Sequence, residues 1–541
     1  MKNSRNNNYR GRSGDSSPKS HSKKKGDRNT RNSSSADEKG VNTRRSVDGT
    51  NLFAWYNANP ALTQSVSMLP FPYRPGMSLN VNYYDKSSQA AVATKWRIPG
   101  IMSINFYPSI GFSENVTDPA SLVAKEMYGR VRSSFSGTLP EDAPDLLLYV
   151  MAMDSIFMAI SHLKRIYRII STYTPYNYDI PNTLLRMVTG CNATDVEKLP
   201  ALKMQLFQYV NELIAMTEKL HVPAIMDIFN RHVWMCDNVY LDDATPNSQA
   251  YVFRPMGFYQ FALDTEGKGC LNMTTFPIAS TSSLNIVERW YEFVRGLIES
   301  LANSEDAYTI SGHLMRAYEG VQRFRIDYLV INEPFAPLYV PEVLMQIENS
   351  KCFPVAIASL NVKQEPSTNA VISMPTATYA YANEQVAFTT PIISLRTDNP
   401  TVEMIVEASR LSAALTDPVV NGTSSMTFNV RCGSEVVVDY SITSSESLDT
   451  LTIAKVNSYD PILFTSTISS LKALRPYLTM ESWDWHPILM VRVRFNNDGS
   501  IYSYDTLLGD VHNVTTCEER QLAEINKICL LSEFNAFANG I

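Results

Sequence analysis

The chain has 541 residues, 44% of them apolar, and a formal charge of −7, so it can hold more than one domain and build a large core. Its seven cysteines (Cys191, Cys236, Cys270, Cys352, Cys432, Cys517 and Cys529) are odd in number, widely separated and without a C-x-x-C pair, which argues for reduced thiols made in the cytosol. The charge is unevenly spread: residues 1–45 hold 13 basic residues against 4 acids, a net +9, and the whole-chain −7 therefore leaves −16 on the other 496 residues.

Residues 1–50 form a basic arm. Lys2, Arg5, Arg10, Arg12, Lys19, Lys23, Lys24, Lys25, Arg28, Arg31, Lys39, Arg44 and Arg45 are its cations, and the only sizeable apolar side chains of residues 1–45 are Met1, Tyr9 and Val41. Such a stretch buries too little surface to offset its ordering entropy and is expected to be disordered. Cations spread along the length, rather than on one face, suit a polyanion gripped by its phosphates without reading of bases. These 13 are the candidate RNA-binding residues. Other readings are a solvated tail with a nuclear-import run at Lys23–Lys25, an anionic membrane surface, or an organellar transit peptide. The arm lacks the hydrophobic face and amphipathic pattern the last two need. The first 50 residues hold no apolar run, so no secretory signal is expected, and the Asn-x-Ser/Thr triplets at Asn115, Asn192, Asn272, Asn421 and Asn513 read as chance matches.

The folded part opens with the cluster Asn51–Tyr56. Trp55 and Tyr56 are candidates to anchor the arm to the body, or else ordinary core aromatics. Pro60, Pro70, Pro72, Pro75, Pro99 and Pro108 oppose long helices here, while Met102–Tyr107 suits a short strand. From 117 to 235 the pattern is helix after helix. Pro119 opens one to about Arg132. Pro144 opens the longest, to about Tyr173, with Leu146, Val150, Met153, Phe157, Ile160 and Leu163 on one stripe and Lys164, Arg165 and Arg168 near the C-terminal dipole. Its apolar run, Leu146–Ile160, is broken by Asp154 and Ser155 and is too short for a membrane span, so a buried helix is expected. Pro181, Pro200 and Pro223 open three more, to Gly190, about Leu220 and about Val233.

Residues 236–283 look irregular, with a short strand at Tyr251–Arg254. An amphipathic helix follows over 286–302, with Asn285 and Glu288 as its capping pair. Further helices are expected from Ser304 to Phe324, Pro341 to Asn349 and Val402 to Leu415. Strand signatures dominate from 350 to 515: Phe388–Thr390, Met426–Arg431, Glu435–Tyr440, Leu451–Ile453, and the hairpin Met490–Phe495 and Ile501–Tyr504 joined through Asn497-Asp498-Gly499. A final helix over 518–535 is introduced by Thr516-x-x-Glu519. No internal repeat is visible. The body is mostly helical first and mostly β later, an α+β chain.

Catalytic constellations are scarce. The sequence has no phosphate-binding Walker loop, no G-x-S-x-G elbow and no H-E-x-x-H, and its seven histidines never take metal-ligand spacing, so no metal or cofactor is expected. One motif resembles the acid/base glutamate of many retaining glycosidases: Leu329–Ile331 running into Asn332-Glu333-Pro334, with Glu481 as a second carboxylate. Retaining chemistry needs two carboxylates about 5 Å apart, on a barrel of alternating strands and helices. The largely helical 200 residues before it do not alternate so.

The basic arm, the Trp55-Tyr56 boundary, the helix-rich body and the β-rich second part together resemble picobirnavirus capsid proteins. Asn51, Trp55 and Tyr56 match a family boundary motif of the form Asn-Asp-Pro-x-Trp-Tyr, while Leu52 and Phe53 depart from it. Partitivirus capsid proteins are similar in general plan. The resemblance implies a non-enveloped icosahedral T=1 shell of 60 homodimers around genomic double-stranded RNA. It implies a predominantly helical shell domain over 51–283, rejoined by 485–541, and a projecting domain over 284–484, helices then β-rich. It places the chain in the virion, made in the host cytoplasm, with projecting loops facing a host receptor that the sequence does not name. Some relatives cleave their own N-terminal arm; no scissile bond is assigned here. The arms of 120 copies would carry roughly 1,080 positive charges against roughly 3,250 phosphates in the duplex encoding these residues, enough to tether RNA but not to condense it.

Three hypotheses follow from the sequence. The first is a self-assembling capsid subunit that packages RNA through its arm. The second is a nucleic-acid-binding regulator or chaperone, which would bind RNA without forming particles. The third is a glycosidase using Glu333 and Glu481.

Overall fold

The structure, a computed structural model, describes residues 53–541 apart from 88, 173–178, 246, 354–355, 381–389, 423–424, 446–450, 465–474, 498–499 and 537–541. The chain divides after Phe71 into two units. In the first, a turn of 3-10 helix at Phe53–Trp55 precedes α1 (Pro60–Val66). Pro60 takes the first turn, where its missing N–H is no loss, and the Asn59 side chain caps the helix by accepting from the Leu62 amide at 3.2 Å.

The second unit, 72–541, opens with two strands, β1 (Ser78–Asp85) and β2 (Ala90–Arg97), paired as an antiparallel ribbon, and with β3 (Ile101–Pro108). Then come α2 (Pro119–Ser134), α3 (Ala143–Ile170), α4 (Asp179–Thr189), α5 (Ala193–Lys198), α6 (Lys203–Thr217) and α7 (Asp227–Asp237). Strands β4 (Tyr240–Leu241), β5 (Ala250–Pro255), β6 (Gly257–Leu263) and β7 (Gly269–Thr275) lead to α8 (Ile286–Ala302), α9 (Ala307–Ala317) and α10 (Pro341–Glu348). The later half holds β8 (Ala356–Ser359), β9 (Val362–Glu365), β10 (Ala370–Ser373), β11 (Thr376–Ala380), β12 (Ile392–Leu395) and α11 (Val402–Ala408). β13 (Ala414–Asn421), β14 (Ser425–Arg431), β15 (Glu435–Ser445), β16 (Leu451–Val456) and β17 (Tyr459–Phe464) follow. The chain closes with β18 (Leu489–Asn497), β19 (Ser500–Leu508), β20 (Asn513–Thr516) and α12 (Glu519–Glu533). The fold is α+β, as the sequence pattern predicts.

The core is organised around α3. Of its 28 residues only Asp145 and Arg168 escape burial. The expected single stripe is thus a helix apolar nearly all round, the pattern of a core helix. By length and composition it could cross a membrane, yet it is wholly buried inside the protein, with α2, α4, α6, α7, α8 and β6 packed against it. Its polar side chains find partners on those neighbours. The Ser155 hydroxyl accepts from the Tyr259 amide at 3.0 Å, and the Lys164 ammonium donates to the Asp327 carbonyl at 2.7 Å. Arg165 donates to the carbonyls of Met235 (3.1 Å), Asn238 (3.0 Å) and Phe253 (2.8 Å). The cations near the end of α3 therefore tie other segments to the helix instead of solvating its C-terminus.

Asn285 and Glu288 cap α8 reciprocally, as expected: Glu288 N to Asn285 Oδ1 and Asn285 N to Glu288 Oε2 are both 2.9 Å. The buried face of α8 carries Trp290, which stacks on Phe276 with centroids 5.9 Å apart, worth about 0.5–1.5 kcal/mol beyond area burial.

The sheets are built mostly from distant segments. The five-stranded sheet has the order β16-β15-β3-β5-β4, with β3 and β5 parallel, and a four-stranded one runs β10-β9-β7-β6. Both sheets join strands from either side of the expected 283/284 boundary. A second four-stranded sheet, β13-β14-β11-β8, packs on a separate apolar cluster that includes Phe353, Leu360, Ala377 and Phe428.

Several sequence expectations need correction. The helix expected from Pro223 starts at Asp227, because Val222 and Ala224 exchange backbone hydrogen bonds with Phe324 and Gln322. The helix expected to reach Phe324 ends at Ala317, with Gly320 at φ +87 beyond it. The helix expected to reach Leu415 stops at Ala408, and β13 takes over at Ala414. The last helix is boxed by Glu518 and Gln521, not by Thr516 and Glu519. Residues 236–283, expected to be irregular, supply four strands. The expected hairpin is present, with Asn497 opposite Ser500, while its turn residues 498–499 and most of the Phe388–Thr390 strand lie outside the described residues.

Candidate assembly and packaging surfaces

The 13 arm cations lie outside the described residues. The apolar stretch that follows the arm in sequence is unusual in its exposure. Phe53, Trp55 and Tyr56 are 67%, 60% and 70% exposed, and Phe71, at the end of this unit, is 92% exposed. Between them Leu62, Val66, Met68 and Leu69 are also exposed. The local geometry is nevertheless well made: the Thr63 hydroxyl donates to Asn57 Oδ1 at 2.7 Å, and the Tyr56 amide to the Phe53 carbonyl at 3.0 Å. A contiguous run of exposed large apolar side chains on an ordered segment marks an interaction site. In the second unit, the two-stranded ribbon β1-β2 also shows Tyr84 and Trp96 to solvent. So does the extended chain before α10 with Tyr328, Val330, Ile331 and Tyr339.

The strongest polar constellation is buried. His232 on α7 stands between two carboxylates, with Nδ1 2.6 Å from Asp154 Oδ2 on α3 and Nε2 3.5 Å from Glu435 Oε1 on β15. Arg231 grips Glu435 with Nε and with Nη2, the latter at 3.0 Å, and its Nε lies 3.8 Å from Glu533 on α12. Arg410 donates to Glu533 at 3.2 Å and to Asn526 Oδ1 at 3.3 Å. Three cations and three anions thus lock α3, α7, β15 and α12 together. Burial disfavours charge on His232, but Asp154 and Glu435 outweigh it and hold the imidazolium up to about 10. Glu435 is held far below the carboxylate range: burial opposes its charge, and Arg231 and His232 overcome that. An acid–imidazole pair of this kind invites a catalytic reading. His232 and Asp154 are both fully buried, however, out of reach of a substrate. Nothing in the sequence announced this network, because its members are local to nothing: positions 154, 231, 232, 410, 435 and 533 meet only through the tertiary fold.

The glycosidase motif does not form its expected context. Leu329–Ile331 is extended chain without a ladder, turning at Asn332 (φ 56), and Glu333 lies 3.7 Å from Arg168 and accepts from the Val330 amide. Glu481 is exposed in a separate turn, and the described sheets have two to five strands with no parallel barrel. Among the described residues no group of three or more His, Cys, Asp or Glu could hold a metal ion, and all seven cysteines are free thiols.

Comparison with known proteins decides the family. A model of picobirnavirus capsid proteins matches residues 55–506. The chain belongs to the picobirnavirus capsid protein family. The match begins at Trp55, the residue at the edge of the basic arm. The chain is 25% identical over 530 residues to a capsid protein precursor of human picobirnavirus (strain Human/Thailand/Hy005102/-), covering 90% of this chain and 91% of that one. Its fold is also that of a chain in a crystal structure of the picobirnavirus capsid, at a TM-score of 0.75 and 19% identity, over 90% of this chain and 99% of that one. A picobirnavirus capsid protein is a structural component of the virion, not an enzyme. The α+β arrangement described above is therefore a capsid fold.

Proposed function

We propose that the chain self-associates as dimers, 60 of them, into a non-enveloped icosahedral shell, and that residues 1–45 tether genomic double-stranded RNA to its inner wall. The observation that carries this reading is the ordered run of exposed apolar side chains from Phe53 to Phe71, directly after a +9 arm. A solvated tail would not spend so much apolar surface on water. In an assembly the run gains burial from a neighbouring copy, and Trp55 and Tyr56 anchor the arm at the wall. An acidic remainder of −16 discourages RNA from coating the outer face. Synthesis takes place in the host cytoplasm, consistent with seven free thiols.

Within a subunit, we assign the wall to the helical part around α3 together with β15 and β16, whose pairing with β3 ties them to it. The projecting part is then the sheet β13-β14-β11-β8 with the apolar cluster it packs on. Its exposed loops face the host receptor.

Electron microscopy of the purified full-length protein tests the assembly reading. Hollow or filled particles support it, and a monodisperse soluble subunit at high concentration overturns it. Deleting residues 1–45 is expected to leave particles but reduce co-purifying RNA.

A further inference from the structure

Residues 324–339, between α9 and α10, are extended chain and turns fastened to the body at intervals. The Phe324 ring packs on Phe157 and Phe229 with centroids 5.0 and 5.1 Å apart, and its amide donates to the Val222 carbonyl at 2.9 Å. Lys164 holds the Asp327 carbonyl, and Asn211 holds both backbone groups of Leu329, accepting from its amide at 2.8 Å and donating to its carbonyl at 3.4 Å. Farther on, the Leu338 amide donates to the Val239 carbonyl at 2.9 Å. The inner side of this connector is therefore fixed.

Its outer side is open. Tyr328, Val330 and Ile331 are exposed. The consecutive amides of Arg325, Ile326, Asp327 and Tyr328 donate to nothing among the described residues. Unused amides beside exposed apolar side chains are what an edge strand offers to another chain. The charges say which chain. Phe324 and Ile326 are half-buried while Arg325 and Asp327 are exposed, the alternation that puts residues two apart on one side of an extended chain. Neither Arg325 nor the Asp327 carboxylate has a hydrogen bond or ion pair among the described residues, and Lys164 attracts that carboxylate only from beyond ion-pair distance. Opposite charges two positions apart are self-complementary. When two copies run antiparallel about Ile326, each Arg325 stands directly opposite the other copy's Asp327, the pairing a two-fold axis generates. The pair is neutral overall and includes a carboxylate, so it does not suit a phosphate backbone.

We propose that residues 325–331 form a two-fold contact between two copies of this chain, in which Arg325 of each copy pairs with Asp327 of the other and the contact covers Tyr328, Val330 and Ile331. The inference rests on the assembly reading above and assigns one of its contacts.

The test is charge reversal in the full-length protein, read by sedimentation as the concentration at which half of the subunits enter particles. Arg325→Asp sets two carboxylates against each other, and Asp327→Arg sets two guanidinium groups against each other. Each should raise that concentration about tenfold or more. The double variant Arg325→Asp with Asp327→Arg restores opposite charges across the axis and should return it to near the wild-type value. Because both side chains are exposed and unpaired, the Tm of the unassembled subunit should stay within about 2 °C of the wild type in all three, which separates a lost contact from a lost fold. Single variants that assemble as readily as the wild type overturn the contact while leaving the assembly reading intact. Single variants that fail without rescue by the double variant point to a different occupant and overturn it too. A wild type that forms no particles overturns the assembly reading, and the contact with it.

Discussion

Helix α3 and the stretch from Phe53 to Phe71 dispose of their side chains in opposite ways. α3 buries nearly everything, including Asp154, His162, Lys164 and Arg165. The N-terminal stretch exposes Phe53, Trp55, Leu62, Met68 and Phe71. A charge can be hidden at tolerable cost only when its partners are in place. On α3 that condition is met within one chain: His232 pairs with Asp154, and three carbonyls receive Arg165. The core of the subunit is thus complete in itself. The N-terminal stretch has the reverse character, with regular backbone geometry and exposed apolar side chains.

That contrast can be broken by mutation. Glu435→Gln should have the largest effect, because it strips a counter-charge from both Arg231 and His232 in a fully buried site; about 3–5 kcal/mol of stability should be lost in urea denaturation. A loss under ~1 kcal/mol would mean that the network is incidental to the core. Leu163→Ala, which opens a cavity along α3, should cost about 2–5 kcal/mol by the same measurement. At the other extreme, Phe71→Ser should change the stability of the unassembled subunit by no more than about 0.5 kcal/mol while lowering particle yield.

Two pH dependences sharpen the picture, the first larger than the second. The folded-state pKa of His232 lies at about 10, above its ordinary value of 6.5, so the stability from its proton is complete below 6.5 and is lost as pH climbs towards 10. Thermal scans across that window should fall more steeply for the wild type than for Asp154→Asn. Asp242 is raised from 3.8 to about 6, mainly by burial, with Asp484 and Asp243 adding to it. A raised carboxylate contributes stability when protonated, so its share is present below 3.8 and fades by about pH 6. Asp242→Asn should flatten that part of the profile.

Legibility from sequence followed the range of the interactions. The capping of α8 by Asn285 and Glu288, the Pro119 start of α2 and the strands flanking Asp498-Gly499 rest on neighbours in sequence, and they were readable. The resemblance that gave the family likewise rested on features that composition preserves: an arm of cations and a Trp-Tyr edge. The pairing of Tyr440 with Ile104 and the meeting of Arg231 with Glu435 join residues hundreds of positions apart, and no local pattern encodes them. Pro223 misled for a related reason. A proline can open a helix, but here the chain at Val222 and Ala224 is held by Phe324 and Gln322 instead. The exposed run from Phe53 was visible as an apolar cluster, yet a cluster alone does not distinguish a buried anchor from an uncovered surface.

Sedimentation of the full-length protein beside the form lacking residues 1–45, with absorbance recorded at nucleic-acid and protein wavelengths, bears on the whole scheme at once. Both should sediment as large particles, and only the full-length form should carry substantial RNA. Slow sedimentation of both as small subunits, or undiminished RNA in particles without the arm, would contradict it.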